Sequence, residues 1–312
     1  MSRRDDRRMP EPHLILSGEA ERLGTARELR RLAAAGRYVR VRSGVYADAR
    51  AWASLDTDQR YRTLVRAASL VCAPGAQFCR ESAAALWRLP MIGPWPGFAH
   101  ELVARQPGGT SRVGIRRHGL GLDPLAESRD GVTVTSLGRT LDDVACALPL
   151  AKSVPMLDAG LRIAGTRDDL ATLLESLQPF PASVRGRRAI EFATAASGSP
   201  GESFARVQFH ALGVGPPQLQ VPFSDQEGPI GVVDFYWPAL DLIGEFDGAS
   251  KYGSGREFQR HLSVEQIVLA EKEREDRLRR VARGFMRLTW PVVRDRRLLA
   301  QRLAEVGLHA GR

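Results

Sequence analysis

Between Val232 and Gly248 the chain reads VVDFYWPALDLIGEFDG, two short apolar runs around a Pro-containing turn, with acids where strands would otherwise be apolar. Side chains alternate faces along a strand, so Asp234 and Tyr236 share one face of the first run. Ile243, Glu245 and Asp247 share one face of the second, and Phe235, Leu242 and Phe246 fall on the opposite, core-facing side. A hairpin centred between Ala239 and Leu240 sets Asp234 across from Glu245, with Cβ atoms about 5 Å apart. Like charges so opposed are destabilising and call for a cation or a shared proton. Mg²⁺ (or Mn²⁺), held by one or two carboxylates and otherwise by water, answers that need and is the ion of phosphoryl chemistry. An amphipathic hairpin with one wet face explains the same acids without chemistry, and a one-residue slip of register would turn every acid to the other side.

The elements that must position these acids follow from pattern. Helix Glu202 to Leu212 is predicted first, then strands Gln218 to Phe223, Val232 to Tyr236 and Leu240 to Asp247. A long helix from about Glu257 to Arg283, a strand Phe285 to Trp290 and a helix Arg294 to Val306 complete an α-β-β-β-α-β-α unit. Gly284 reads as the C′ glycine that ends the long helix. Ser197-Gly198-Ser199-Pro200-Gly201 is the strongest boundary in the chain, which sets this unit at 197–312.

Three features of this unit, Asp234 with Glu245-Phe246-Asp247, the helix Glu271-Lys272-Glu273-Arg274-Glu275-Asp276-Arg277-Leu278 and the strand Phe285-Met286-Arg287-Leu288-Thr289-Trp290, resemble the PD-(D/E)XK nuclease superfamily. The nearest branch is the uncharacterised one related to very-short-patch-repair endonucleases. The resemblance implies a restriction-endonuclease-like core, with Asp234 and Glu245 as metal-binding acids, Asp247 beside them, and Glu202 as an acid on the first helix. The superfamily has a lysine two residues after the second acid, where this chain has Asp247; that branch commonly has acid-Asp-Gly there. The cationic role then falls to Lys272, preferred, or to Lys251 in the Gly248–Gly255 loop, with an arginine near Lys272 as the alternative source of charge. Both lysines also read as surface salt-bridge partners, Lys272 on a solvated helix face.

Toward the N-terminus, residues 1–13 are expected to form a disordered basic tail. Thr25-Ala26-Arg27-Glu28 reads as a capping box opening a helix that ends at Gly36, and Tyr38 to Arg42 with Val45-Tyr46 reads as a hairpin around Ser43-Gly44. Helix, helix and two-stranded wing is the order of a winged helix-turn-helix over 14–50, with Arg27, Arg30, Arg31, Arg37, Arg40 and Arg42 as phosphate contacts. Those arginines equally describe the solvated face of a small helical domain. Residues 51–196 mix helices, including one at Asp168 to Ser176, with short strands. No catalytic constellation stands out there: His100 and His118 read as surface or turn residues, and Asp142-Asp143 as dipole partners at a helix N-terminus. Gly36 to Tyr46, Ser82 to Pro90 and Thr135 to Ala145 resemble AbiEi-type antitoxins of type IV toxin-antitoxin systems, which implies a winged-helix repressor with an attached middle domain and a cognate toxin as partner.

The fold class expected is α+β or α/β, in several domains, for 312 residues of 43% hydrophobic content. A formal charge of +9 points to DNA as partner, RNA remaining the lesser reading, although arginine-rich composition also follows from GC-rich coding. Three cysteines, none in a CxxC pair, encode neither a disulfide framework nor a zinc knuckle. With no apolar h-region after the charged start and no run of eighteen apolar residues, the expectation is a soluble cytoplasmic protein without membrane or organic cofactor. Two functions follow: a metal-dependent DNA endonuclease tethered to a DNA-binding module, or a repressor whose nuclease-like domain is inactive.

Overall fold

The computed structural model describes residues 12–104, 111–164, 181–248 and 263–309. The helix expected at Asp168 to Ser176, the first residues of the long helix, Lys251 and most of the N-terminal tail lie outside them. Within the described residues the chain is a mixed α/β protein with three sheets, and it divides into two compact units. No helix of the described residues is long and apolar enough to cross a membrane.

The first unit reaches Leu148. It opens with β1 (Leu14–Leu16), α1 (Ser17–Arg22), α2 (Ala26–Ala34), β2 (Tyr38–Arg42) and β3 (Val45–Asp48). The expected hairpin of β2 with β3 is present, and β1 adds to its far edge in the order β1-β3-β2. Gly44 makes the turn at φ +82°, a conformation open to glycine. The capping box at Thr25 does not form. The connection from α1 is so short that Thr25 folds back, its hydroxyl donating to the Ala20 carbonyl at 3.3 Å, while Glu28 pairs with Arg31.

After α3 (Ala49–Ala53) and α4 (Thr57–Ser69), the unit builds a five-stranded mixed sheet. Its strands are β4 (Gln77–Phe78), β5 (Ala99–Leu102), β6 (Ile115–His118), β7 (Glu127–Arg129) and β8 (Val132–Val134), in the order β6-β5-β4-β8-β7. With α5 (Arg80–Leu86) and α6 (Leu137–Ala147), these elements bury Phe78, Leu102, Ile115 and Leu141. Because α6 begins at Leu137, Asp142 and Asp143 are not at a helix N-terminus; Asp143 is buried mid-helix against Arg139 one turn earlier, at 3.2 Å.

The second unit takes up Pro149 and the chain from Arg188 onward. It holds α7 (Leu150–Ala164), the later residues of α8 (Pro181–Phe192) and α9 (Pro200–Ala211), capped by Ser199 with Pro200 in its first turn. Then follow β9 (Gln218–Asp225), β10 (Gly228–Trp237), β11 (Leu242–Asp247), α10 (Val264–Val281), β12 (Gly284–Thr289), α11 (Trp290–Arg294) and α12 (Arg296–Glu305). The sheet order is β12-β11-β10-β9, with β11 and β12 parallel and the rest antiparallel. One ion pair explains why α7 joins this unit although Ser197–Gly201 reads as the boundary. The fully buried Asp158 of α7 accepts from Arg206 of α9 at 2.9 Å and from the Thr194 N–H at 2.8 Å, and Arg206 also donates to the Phe192 carbonyl.

Gly284 is not a C′ glycine. The helix ends in extended backbone at Ala282, and Gly284 opens β12 where a Cβ would meet Leu242 at 2.8 Å. Its smallness serves strand packing instead of a cap.

Candidate functional site

The turn between β10 and β11 fixes the register on which the acids depend. Pro238–Leu240 form a single 3-10 turn and Asp241 sits left-handed at φ +47°. The Asp241 carboxylate accepts from the Tyr236 hydroxyl at 2.9 Å and from the Arg283 N–H at 3.1 Å, so it locks the turn to the entry of β12. Strand pairing then runs Trp237 with Leu242, Tyr236 with Ile243 and Phe235 with Gly244. One further step along that register brings Asp234 to Glu245, as the alternation predicts.

The two faces separate as expected. Phe235 and Trp237 meet Phe209 of α9 edge-on, and Phe246 packs edge-on to Trp290. Gly201 lies so close to the Phe246 ring that any Cβ there would overlap it. On the other face Ile243 joins Leu278 of α10 in the core, and farther along the same face Glu245 meets that helix.

Asp234 and Glu245 line one cavity of about 120 Å³ with Asp247, Glu271, Arg274 and Arg287. Asp234 is held by the Phe246 N–H at 2.8 Å and, more loosely, by the Gln220 amide at 3.4 Å. Glu245, only 8% exposed, accepts from a single Arg274 nitrogen on both oxygens, each at 2.8 Å. Arg274 also turns its Nε and Nη2 to the two oxygens of Glu271, at 3.0 and 2.8 Å. Burial pushes the Glu245 carboxyl above its ordinary range, Arg274 pulls it back only in part, and Asp234 adds to the rise. Burial works against the charge of Arg274, but the hydrogen bonds to Glu271 and the charge of Glu245 outweigh it and raise its pKa. The pair is asymmetric because the guanidinium meets two carboxylates, Glu245 and Glu271, whereas Glu245 also faces Asp234.

The remaining expected site residues divide. Asp247 lines the cavity and lies 3.5 Å from Arg287, the strand neighbour of Glu245 on β12. Glu202 is buried in the first turn of α9 and accepts from the Gly198 N–H at 2.7 Å and the Gln220 amide at 3.0 Å. Gln220 links it to Asp234, and it is not among the residues lining the cavity. Lys272 is exposed on α10 and is not among the lining residues; the cation facing Glu245 is Arg274. Arg274, Arg287 and Gln220 are absent from the sequence-based set. Gln220 has a positive φ of +50°, unusual for a residue with a side chain, at the point where it meets both acids.

Of the arginines expected to meet phosphate, Arg27, Arg37 and Arg40 are exposed. Arg30 lies 3.6 Å from Glu21 and Arg31 is paired by Glu28. Arg42 turns inward, donating to the Val113 carbonyl at 3.2 Å, and burial lowers its pKa. That inward turn removes it from the exposed set.

A second polar cluster lies in the first unit. His100, 3% exposed, and His118 stack and share a ring-nitrogen hydrogen bond of 2.8 Å, with Glu81 3.3 Å from the other side of His100. Neither histidine is the surface or turn residue its sequence context suggests: both lie on strands, and His118 is half-buried. Burial lowers His100 to about 3 and His118 to about 4, with Arg80 and Arg116 adding to both shifts. Both rings are therefore neutral near pH 7.

Among the described residues, no three His, Cys, Asp or Glu side chains gather closely enough to cage an ion. The carboxylate cavity fits a divalent ion in another way. Four carboxylates and two guanidiniums line it, leaving an excess of two negative charges, and two facing acids are the number Mg²⁺ takes when water and phosphate fill its other positions. No protein-family model matches the chain, and no curated protein matches it.

Proposed function

We propose that the second unit is a metal-dependent endonuclease acting on DNA, and that the first unit supplies DNA affinity. The observation that supports this reading is the placement of Asp234 and Glu245 on one face of a hairpin, at a cavity whose lining has a two-charge negative excess. Asp234 and Glu245 would hold Mg²⁺ or Mn²⁺, with Asp247 beside them. When bound, such an ion supplies a Lewis acid for a phosphate oxygen and a more acidic water. Glu202 and Gln220 orient Asp234 from behind, and the Phe246 N–H fixes its second oxygen. Arg274 and Arg287 offer guanidinium donors on the wall where charge gathers on the phosphate. The exposed Arg27, Arg37 and Arg40, with Arg30 and Arg31 at the same helix, contact the backbone without reading sequence. The orders α9-β9-β10-β11-α10-β12 in the second unit and β1-α1-α2-β2-β3 in the first support this reading.

Replacing Glu245 with Ala is expected to abolish Mg²⁺-dependent nicking of supercoiled plasmid while salt-sensitive DNA binding stays nearly intact. Equal nicking by variant and wild type rejects the assignment.

One observation favours a second reading, that of an antitoxin-like repressor with an inactive nuclease-like domain and a cognate toxin. Both oxygens of Glu245 are already taken by a cation of the chain itself. Calorimetry with Mg²⁺ or Mn²⁺ separates the two: a silent titration, together with binding to a specific operator, selects the repressor.

A further inference from the structure

Arg274 occupies the one carboxylate that the proposed ion most needs. We infer that Arg274 is a resident counterion of Glu245 that gives way when a divalent ion binds and is then presented, still anchored, to the phosphodiester. The inference rests on the endonuclease reading and adds to it a coupling between metal loading and substrate contact.

The geometry behind this is the division of one guanidinium between two acids. A buried carboxylate beside Asp234 needs a positive partner in the ion-free protein, and Arg274 supplies it on both oxygens of Glu245. A ligand set that included Glu245 must take at least one of those oxygens, so ion and arginine compete for the same lone pairs. Loss of Glu245 does not cast the arginine into solvent. Glu271 grips its Nε and Nη2 side by side, the fork arrangement that fixes a guanidinium plane, and Glu271 lines the same cavity. Arg274 is thus left on the wall with the one Nη2 hydrogen that the Glu245 oxygens had shared now unpaired. An anionic oxygen is the natural replacement, and a phosphodiester bound to the ion brings one to that wall. Arg287 differs: it leans on Asp247, Glu271 and Glu275 and has no bond to Glu245, so it competes less directly.

Two readouts on the full chain move in opposite directions. In Mn²⁺ calorimetry without DNA, Arg274→Gln is expected to bind at least about tenfold more tightly than wild type, because Glu245 no longer has a competitor. Arg287→Gln, which removes the same charge from the same cavity, is expected to change the affinity less than about threefold. In single-turnover cleavage of plasmid at saturating Mn²⁺, Arg274→Gln is expected to be at least about tenfold slower. Arg274→Lys, which keeps the charge and most of the buried stem, gives intermediate values and covers the case where the glutamine variant fails to fold. Equal Mn²⁺ affinity in wild type and both Arg274 variants overturns the exchange while leaving the endonuclease reading in place. Equal tightening by Arg274→Gln and Arg287→Gln overturns it too, since bulk charge then explains the effect. Absence of Mn²⁺ binding in every protein overturns the inference and the endonuclease reading together.

Discussion

The imidazole pair of the first unit and the carboxylate pair of the second are both polar groups taken out of water, and they meet that cost in opposite ways. His100 and His118 give up charge: burial and nearby arginines hold them neutral, one ring-nitrogen hydrogen bond joins them, and the other nitrogen of His100 lies 3.3 Å from Glu81. Asp234 and Glu245 face a cavity with two arginines on its wall and a net negative lining. A cluster that reaches neutrality has finished its electrostatics and behaves as structure. A cluster that still has excess charge and space beside it has unfinished electrostatics, which a ligand can complete. By that criterion the second cluster is the one we propose for chemistry, although burial strongly lowers both histidines of the first.

The sharpest way to break this comparison is to disable each cluster and assay cleavage. Asp234→Asn removes one of the two facing charges with little change of shape, and Mg²⁺-dependent nicking is expected to fall at least about 100-fold, as when a ligand to the ion is lost. His118→Gln is expected to leave nicking within about twofold. A comparable loss from the histidine variant, measured on the same plasmid, would place function in the wrong cluster.

Stability against pH gives the next largest effect, with opposite signs in the two units. The histidines have folded pKa values below the unfolded 6.5, so the unfolded chain binds more protons as pH falls through the window down to about 4 and 3. Stability is intact above pH 6.5 and is lost below it, with His100 contributing up to about 1.4 kcal/mol per pH unit. His118 contributes less because solvent screens it. Glu245 has a folded pKa above its unfolded 4.5, so the folded chain binds the extra proton and stability falls as pH rises through that window. Urea midpoints at pH 7, 6 and 5 should show His100→Gln closing on wild type as the pH drops. Glu245→Gln should gain on wild type as the pH rises from 4.5. Parallel curves for either variant would deny that its group titrates differently on folding.

How far the site was legible follows from where its contacts originate. The pairing of Asp234 with Glu245 depends on local matters, a four-residue turn and strict alternation, and both are written in consecutive residues. The hydrogen bond between His100 and His118 depends on parallel pairing of β5 with β6, which sets Leu102 beside His118 and His100 beside Arg116. Nothing in the local sequence announces a parallel neighbour. The same limit hid the Asp158–Arg206 pair, whose members are 48 residues apart, and with it the membership of α7 in the second unit. Thr25 failed as a cap because a short connection turned it toward α1, a tertiary preference that overrides a four-residue motif.

The choice between Lys272 and Arg274 is the smallest effect and the most instructive, because here the sequence did hold the answer. Helix phase is set by its buried apolar residues, and α10 points Leu278 into the core. Arg274 stands four residues before Leu278, about 40° away around the axis, whereas Lys272 stands six before it, about 120° away. Arg277, one residue before Leu278, is about 100° away but on the same side as Arg274, opposite to Lys272, and it docks on Asp225 at 2.9 Å. The resemblance to a lysine-bearing motif favours residue type over phase, and phase decides which side chain can reach the sheet. Lys272→Ala is therefore expected to shift the urea midpoint by less than about 0.5 kcal/mol equivalent and to leave nicking within about twofold, as for an ordinary exposed position. A tenfold loss of nicking in that variant would mean that α10 rotates or shifts when DNA is bound, and it would return the cationic role to the lysine.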